Sequence, residues 1–338
     1  MASNRPPTRP ASTPDLWAAL SANDVQRARA LLDARPQAVH ERTSDGYAGP
    51  PAPHCTNTPL THIATHAGHA DMMAMLIDRG ADVDALGYNE NKGIAPAIVL
   101  AAWEGDVDML RVLLKAGADP NLAGSAETAL YTAIEHTPAD APAPNKVSVL
   151  LDNGARHDVF TAAMAGDIDL ARAHAAACPP LLARRSLKRD RTPLEEAAHH
   201  GHEDVASAFI ELGSAVSAHA AAALGLTDVL RGIVDDDASQ LNARDDSQDT
   251  PLMAACTHGR VETARTLLVA GADPNAENRW SETALTRVVA ASDIPIVELL
   301  LSAGADPLKA GRGGTLPVDH IGAPDATLTR RLRALLGA

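Results

Sequence analysis

One short phrase recurs along this chain and constrains its fold more than any other feature. It stands as Arg79-Gly-Ala-Asp82, Ala116-Gly-Ala-Asp-Pro-Asn121, Ala270-Gly-Ala-Asp-Pro-Asn275 and Ala303-Gly-Ala-Asp-Pro307. Each copy closes a Leu-rich amphipathic run: Met75-Leu-Ile, Val112-Leu-Leu, Thr266-Leu-Leu and Leu299-Leu-Leu. A phrase repeated at this scale means stacked units, each burying its apolar face on its neighbours. Stacking also answers a problem of size, because 338 residues exceed a usual single core.

The unit can be read from its cleanest copy, Thr192-Pro-Leu-Glu-Glu-Ala-Ala-His-His-Gly-His202. Thr192 is placed to cap a helix with Pro193 in its first turn. Ala197 and Ala198 give a small face for close packing, Gly201 ends the helix, and residues 203–211 form a second one. Thr250-Pro-Leu-Met-Ala-Ala-Cys-Thr-His-Gly259 repeats the plan, and Thr128-Ala-Leu130 and Thr283-Ala-Leu285 open two more units. The apolar content is mostly Ala and Leu with only eight aromatic residues (three Trp, three Tyr, two Phe), which favours closely packed helices.

These openings, the Ala-Ala pairs, the Gly-His pairs (Gly68-His69, Gly201-His202) and the Gly-Ala-Asp-Pro-Asn closures resemble the ankyrin repeat family over nearly the whole chain. The resemblance implies an all-α ankyrin-repeat solenoid of about ten helix-turn-helix units, two of them caps. It also implies hairpin-like loops at a right angle to the helices and a concave groove lined by first helices and loop tips. Units begin near Asp15, Asn57, Gly93, Ser125, Asp158, Arg191, Ser217, Asp249, Ser281 and Gly314. This gives a disordered tail over 1–14, rich in Pro, Ser and Thr, and a single repeat domain over 15–338.

The spacing is uneven. Three units start a helix with no Thr-Pro-Leu and no preceding loop: Leu16-Trp-Ala-Ala-Leu-Ser-Ala-Asn-Asp24, Val159-Phe-Thr-Ala-Ala-Met-Ala-Gly-Asp167 and Ala218-His-Ala-Ala-Ala-Ala-Leu-Gly225. Each runs into a longer tail, at Arg35-Pro36, Cys178-Pro-Pro180 and Asp235-Asp-Asp237. The row of loops therefore has gaps, which either deepen the groove or reflect drift. Pro-containing insertions at 40–57 and 137–146 are irregular loops, the second splitting the two helices of the fourth unit.

Net charge is −14. An acidic chain does not track phosphate backbones, so nucleic acid is not expected as a partner, and a neutral or basic protein is. The exception is local: Arg184, Arg185, Lys188, Arg189 and Arg191 form either a solvated loop cluster or a contact for an acidic partner. Three scattered cysteines give no disulfide framework. With no secretory h-region and no membrane-length apolar run, a cytoplasmic, non-membrane protein is expected. Two polar-faced caps point to a monomer.

In the geometry the resemblance implies, the two positions before each Gly turn face the groove. They hold Trp103, Glu104, Glu135, His136, His199, His200 and His258, and with the loop-tip residues Tyr88 and Trp280 these are the expected binding contacts. The plain alternative is a solvated helix face. His69, His202, His62 and His219 fall where the family uses His structurally. No metal site is expected, because packed helices lie about 8–10 Å apart and equivalent side chains cannot share one ion. No cofactor is expected either: there is no phosphate loop, dinucleotide motif or Gly-x-Ser-x-Gly. The leading expectation is a protein-binding scaffold. One rival is an enzyme doing cofactor-free acid–base chemistry with Glu104, Glu135, His136 and His199. Another is a secreted effector whose N-terminal tail is an export signal.

Overall fold

The computed structural model describes residues 14–42, 57–89, 93–104, 106–123, 127–138, 142, 144–186, 189–311, 314–321 and 326–337. The chain divides into two compact units, residues 1–161 and 162–338. The expected tail over 1–14 lies almost wholly outside the described residues, as do Lys188 and most of the 40–57 insertion.

In the first unit, helices come in pairs: α1 (Pro14–Ser21) with α2 (Val25–Ala34), α3 (Pro59–Ile63) with α4 (Ala70–Asp78). A short antiparallel hairpin follows, β1 (Leu86–Asn89) and β2 (Gly93–Pro96), with Leu86 opposite Pro96 and Tyr88 opposite Ile94. Then come α5 (Ala97–Glu104) with α6 (Val107–Lys115), and α7 (Ala129–His136) with α8 (Lys146–Asp152). Helix α9 (Val159–Ala165) spans the division between the units.

The second unit continues with α10 (Ile168–Ala177), α11 (Pro193–His199), α12 (Glu203–Glu211), α13 (Ala218–Leu224) and α14 (Thr227–Asp236). It ends with α15 (Pro251–Thr257), α16 (Val261–Val269), α17 (Ala284–Ala291), α18 (Ile294–Ser302), a 3₁₀ turn at Pro317–His320 and α19 (Ala326–Leu336). The hairpin apart, the described secondary structure is helical, and the ten units expected appear as nine helix pairs and a final 3₁₀–helix pair. Among the described residues no helix is long and apolar enough to cross a membrane.

The Thr openings cap as expected. The hydroxyls of Thr58, Thr128, Thr192, Thr250 and Thr283 each accept the amide three residues on, giving each first helix a fixed start. The Gly of each closing phrase holds φ near +90°, as at Gly117 (+91°) and Gly271 (+96°), a left-handed conformation that ends the second helix. Gly154 and Gly213, where the phrase is altered, keep the same conformation (+90° and +93°).

The loopless units are built differently. Their second helices α2, α10 and α14 each have ten residues and are followed by a residue with φ between −143° and −147°, Arg35, Cys178 or Asp237. A 3₁₀ turn follows in each case, at Pro36–His40, Pro179–Ala183 and Ala238–Asn242. The longer tails read in the sequence are thus one recurrent device.

Candidate functional site

In the second unit, the segment Ser214–Ser217 leads straight into α13 without a projecting loop. Helix α13 packs between α11 and α15, whose units do carry loops. The result is a cleft of about 470 Å³ with Ala220 and Ala223 in its lining, flanked by Arg185, Asp190, Arg191 and Glu195 on one side and by residues of 240–249 on the other. A second lobe of about 450 Å³ adjoins it; both are lined by Arg191, His199, Asp249, Thr257 and Arg287. The cleft thus lies at a unit that lacks its loop.

Two loops, at 245–249 and 278–282, are closed by their own hydrogen bonds. Asp245 Oδ1 accepts the Asp249 amide (2.8 Å), and the Asp245 amide donates to Asp249 O (3.1 Å). Asn278 Oδ1 accepts the amides of Trp280 (2.9 Å) and Glu282 (3.0 Å). The tips are joined by Arg279 N donating to Ser247 O (3.0 Å). His219 Nε2 bonds Asp249 O (2.9 Å), the structural role expected of it.

Arginine–carboxylate pairs line the cleft. Arg191, almost fully buried, lies 3.1 Å from Asp245 and 3.8 Å from the buried Glu196. Arg287 contacts Asp249 (2.9 Å) and Glu282 (3.3 Å). Arg185 reaches Asp190 (3.5 Å) and Glu195 (3.6 Å), and Arg279 reaches Asp246 (3.8 Å). Arg191 and Arg185 belong to the basic cluster seen in the sequence. Arg287 and Arg244 were not singled out there; a charged residue where Thr250-Pro-Leu-Met-Ala254 has Ala254 was the available signal for Arg287.

Of the expected contacts, His199 and His258 both line the cleft and Trp280, 38% exposed, lines the second lobe. His200 stands edge-on to His199, ring centroids 5.3 Å apart, but is not in the lining. His199 is open to the cleft, yet its surroundings lower its pKa well below the usual imidazole value, chiefly by displacing water and then through Arg191. His200 is lowered to about 4, again mainly by desolvation, with His202 and Arg191 adding to it. His258 is lowered by desolvation and by Arg260, Glu203 opposing. In all three the surroundings favour the neutral imidazole.

The other expected contacts lie in the first unit. Trp103 and His136 are brought together, centroids 4.3 Å apart, and His136 Nδ1 is 3.7 Å from Glu135. The His136 ring is also tied to Thr132 O (2.9 Å). Tyr88 is half-buried on β1, its backbone paired to the Asn57 amide group (2.8 and 2.9 Å). Glu104 ends α5, and its side chain lies outside the described residues. The acid–base set of the enzyme reading is thus divided, with Glu135 and His136 in one unit and His199 in the other. Among the described residues no group of three or more His, Cys, Asp or Glu is arranged to hold a metal.

Paired helices, Gly-terminated turns and projecting loops define a helical repeat protein. A pattern described as Ankyrin repeats (3 copies) matches residues 218–310, and a single Ankyrin repeat pattern matches 56–88 and 95–125. The chain belongs to the ankyrin repeat family.

It is similar to the Serine/threonine-protein kinase VIK of Arabidopsis thaliana, 36% identical over 86 residues, 25% of this chain and 19% of that protein. It is similar to the Cyclin-dependent kinase 4 inhibitor B of Mus musculus, 46% identical over 61 residues, 18% of this chain and 46% of that one. It is also similar to an ankyrin repeat-containing protein of Treponema pallidum (strain Nichols), 35% identical over 116 residues, 32% of this chain and 39% of that one. The match spans less than half the length of each relative. Ankyrin repeats are in general protein-interaction scaffolds.

Proposed function

We propose that the chain is a protein-binding scaffold and that the cleft over α13 is where a partner docks. The observation that carries this is the set of side chains offered to the cleft. His199 and His258 face it with no hydrogen-bond partner for their rings among the described residues, and Trp280 stands beside them, part exposed. The loops at 245–249 and 278–282, hydrogen-bonded within themselves and to each other, cost little to order on binding. A large aromatic side chain beside unpaired polar groups is the composition of a contact hot spot. The relative named as an inhibitor of cyclin-dependent kinase 4 acts on a protein, which agrees with this reading. The Trp103–His136 pair of the first unit is a second contact patch in the same reading. The protein works as a cytoplasmic monomer.

The test is affinity capture with quantitative mass spectrometry, using the wild type and the H199A/W280A variant at matched stability. Proteins held by the wild type should be depleted from the variant at least tenfold. An unchanged set would move the docking surface away from this cleft. Light scattering of the purified chain checks the monomer.

A further inference from the structure

The charges around the cleft do not cancel. Among the described residues, five carboxylates and four arginines line the first lobe. The second lobe adds Glu282 and Arg189, so one carboxylate stays in excess. Three of the arginines are each divided between two carboxylates. Arg185 faces Asp190 and Glu195, Arg191 faces Asp245 and the buried Glu196, and Arg287 faces Asp249 and Glu282. Arg244 completes the arginines of the first lobe, and its Nη1 donates to the backbone carbonyls of Gln248 (2.7 Å) and Glu277. The excess of carboxylate holds with Arg244 counted.

Acceptors in this lining stand open. Asp246 meets Arg279 at 3.8 Å and forms no hydrogen bond among the described residues. Glu195 Oε2 accepts the Thr192 amide (2.8 Å) and lies 3.6 Å from Arg185, while its Oε1 is unbonded among the described residues. Asp249 Oδ1 accepts from Asn278 Nδ2 (3.0 Å) and Arg287 Nη2 (2.9 Å), and its Oδ2 is likewise unbonded. His199 at the end of α11 and His258 just past α15 face the cleft with rings that bond no protein group. Their surroundings favour the neutral ring, and a neutral imidazole keeps one nitrogen as an acceptor.

We infer that the cleft takes a basic linear segment of a protein partner, whose lysine or arginine heads are held by the open oxygens of Glu195, Asp246 and Asp249 and by the imidazoles of His199 and His258. The inference rests on the docking role proposed above and adds the chemistry of the occupant. A cation on a carboxylate makes a charge-assisted hydrogen bond, stronger than one between neutral groups. Its charge also complements the excess of carboxylate in the lining. The cleft, about 470 Å³, falls within the range of about 300–1,000 Å³ that small ligands fill, so it suits a few side chains of a segment rather than a folded face. The net charge of the whole chain points to a basic partner without giving it an address. Charges elsewhere are screened beyond a Debye length of about 8 Å at physiological salt, so groups at the contact decide.

The experiment selects a phage-displayed random dodecapeptide library on the immobilised full chain at neutral pH. The enriched peptides are then measured by fluorescence anisotropy against the wild type, E195Q/D246N and H199A/H258A, each checked for unchanged helicity by circular dichroism. The single variants replace any pair that fails this check. The expected result is enrichment of Lys- and Arg-rich peptides. Their affinity should fall about tenfold in E195Q/D246N and about threefold in H199A/H258A. Acidic or uncharged peptides that lose affinity in H199A/H258A would overturn the basic occupant while leaving the docking cleft in place. Basic peptides that bind the variants and wild type equally would overturn the inference by placing the contact elsewhere. No enrichment above naive panning would overturn the linear segment, and affinity capture with H199A/W280A then decides the docking role separately.

Discussion

Asn121 and Asn275 show why the repeated phrase ends in asparagine. Asn121 Nδ2 donates to Gly154 O (3.0 Å), and its Oδ1 accepts the Arg156 amide (2.8 Å). Asn275 does the same one unit on, to Gly304 O (2.9 Å) and from the Asp306 amide (2.8 Å). The preceding Asp stays local, Asp119 and Asp273 each accepting the amide two residues on (2.9 Å in both). So Gly ends the helix, Asp shapes the turn, and Asn ties one unit to the next. N275A removes both inter-unit bonds and should destabilise the second unit by roughly 1–2 kcal/mol, read as a lower urea midpoint. N275D keeps the acceptor and loses the donor, and should fall between the two. Glycine and aspartate were legible in the sequence because their work is local. The work of Asn275 was not, since its partner lies 31 residues away.

At the scale of elements, one contact recurs, made by three different residues. His202 Nε2 reaches back to Met164 O (2.8 Å), Arg260 Nε to Ala223 O (2.9 Å) and Lys146 Nζ to Ala102 O (3.1 Å). Each binds a carbonyl near the C-terminal end of the preceding unit's first helix, where such groups lack intrahelical partners. Lys146 also donates to His136 O (3.4 Å) across the insertion, where the fourth unit has no Gly turn. It is buried, and burial lowers its pKa. K146M should leave both carbonyls without this donor and destabilise the first unit by about 1–3 kcal/mol in urea unfolding. Two glycines separate close approach from mere permissiveness. A Cβ at Gly87 would lie 2.4 Å from Asn57 Oδ1 and 2.5 Å from Thr61, so G87A should displace the β1 strand and lower the melting temperature. At Gly232, inside α14, a Cβ meets nothing within 4 Å and φ is not positive. G232A should raise stability by about 0.5–1 kcal/mol. The helix pairs and the three missing loops were readable from Thr caps and Ala runs. The cleft was not, because contacts such as Arg191–Asp245 join loops 54 residues apart that only stacking brings together.

For the molecule as a whole, the net charge of −14 says less than how the groove treats its histidines. His199, His200 and His258 have folded-state pKa values lowered by desolvation first and by neighbouring positive charge second, apart from the opposing Glu203 at His258. In the unfolded chain the same imidazoles take up protons near pH 6.5. Between that value and the lowered folded values, the unfolded state binds more protons than the native one. Stability therefore rises with pH through this window and is lost as pH falls below about 6.5. For His200, lowered to about 4, the loss between pH 7.5 and 5.5 is roughly 1 kcal/mol. His199 and His258 add losses of the same sign, reduced where solvent reaches the ring through the cleft. The urea midpoint of the full chain should thus fall between pH 7.5 and 5.5, a range above ordinary carboxylate titration. H200N removes one of the groups that produce the slope, so its midpoint should fall less over the same range. A wild-type midpoint that holds level or rises toward pH 5.5 would mean that these imidazoles carry protons in the folded groove. The hydrogen-bonding character assigned to the cleft would then have to be redrawn around imidazolium ions.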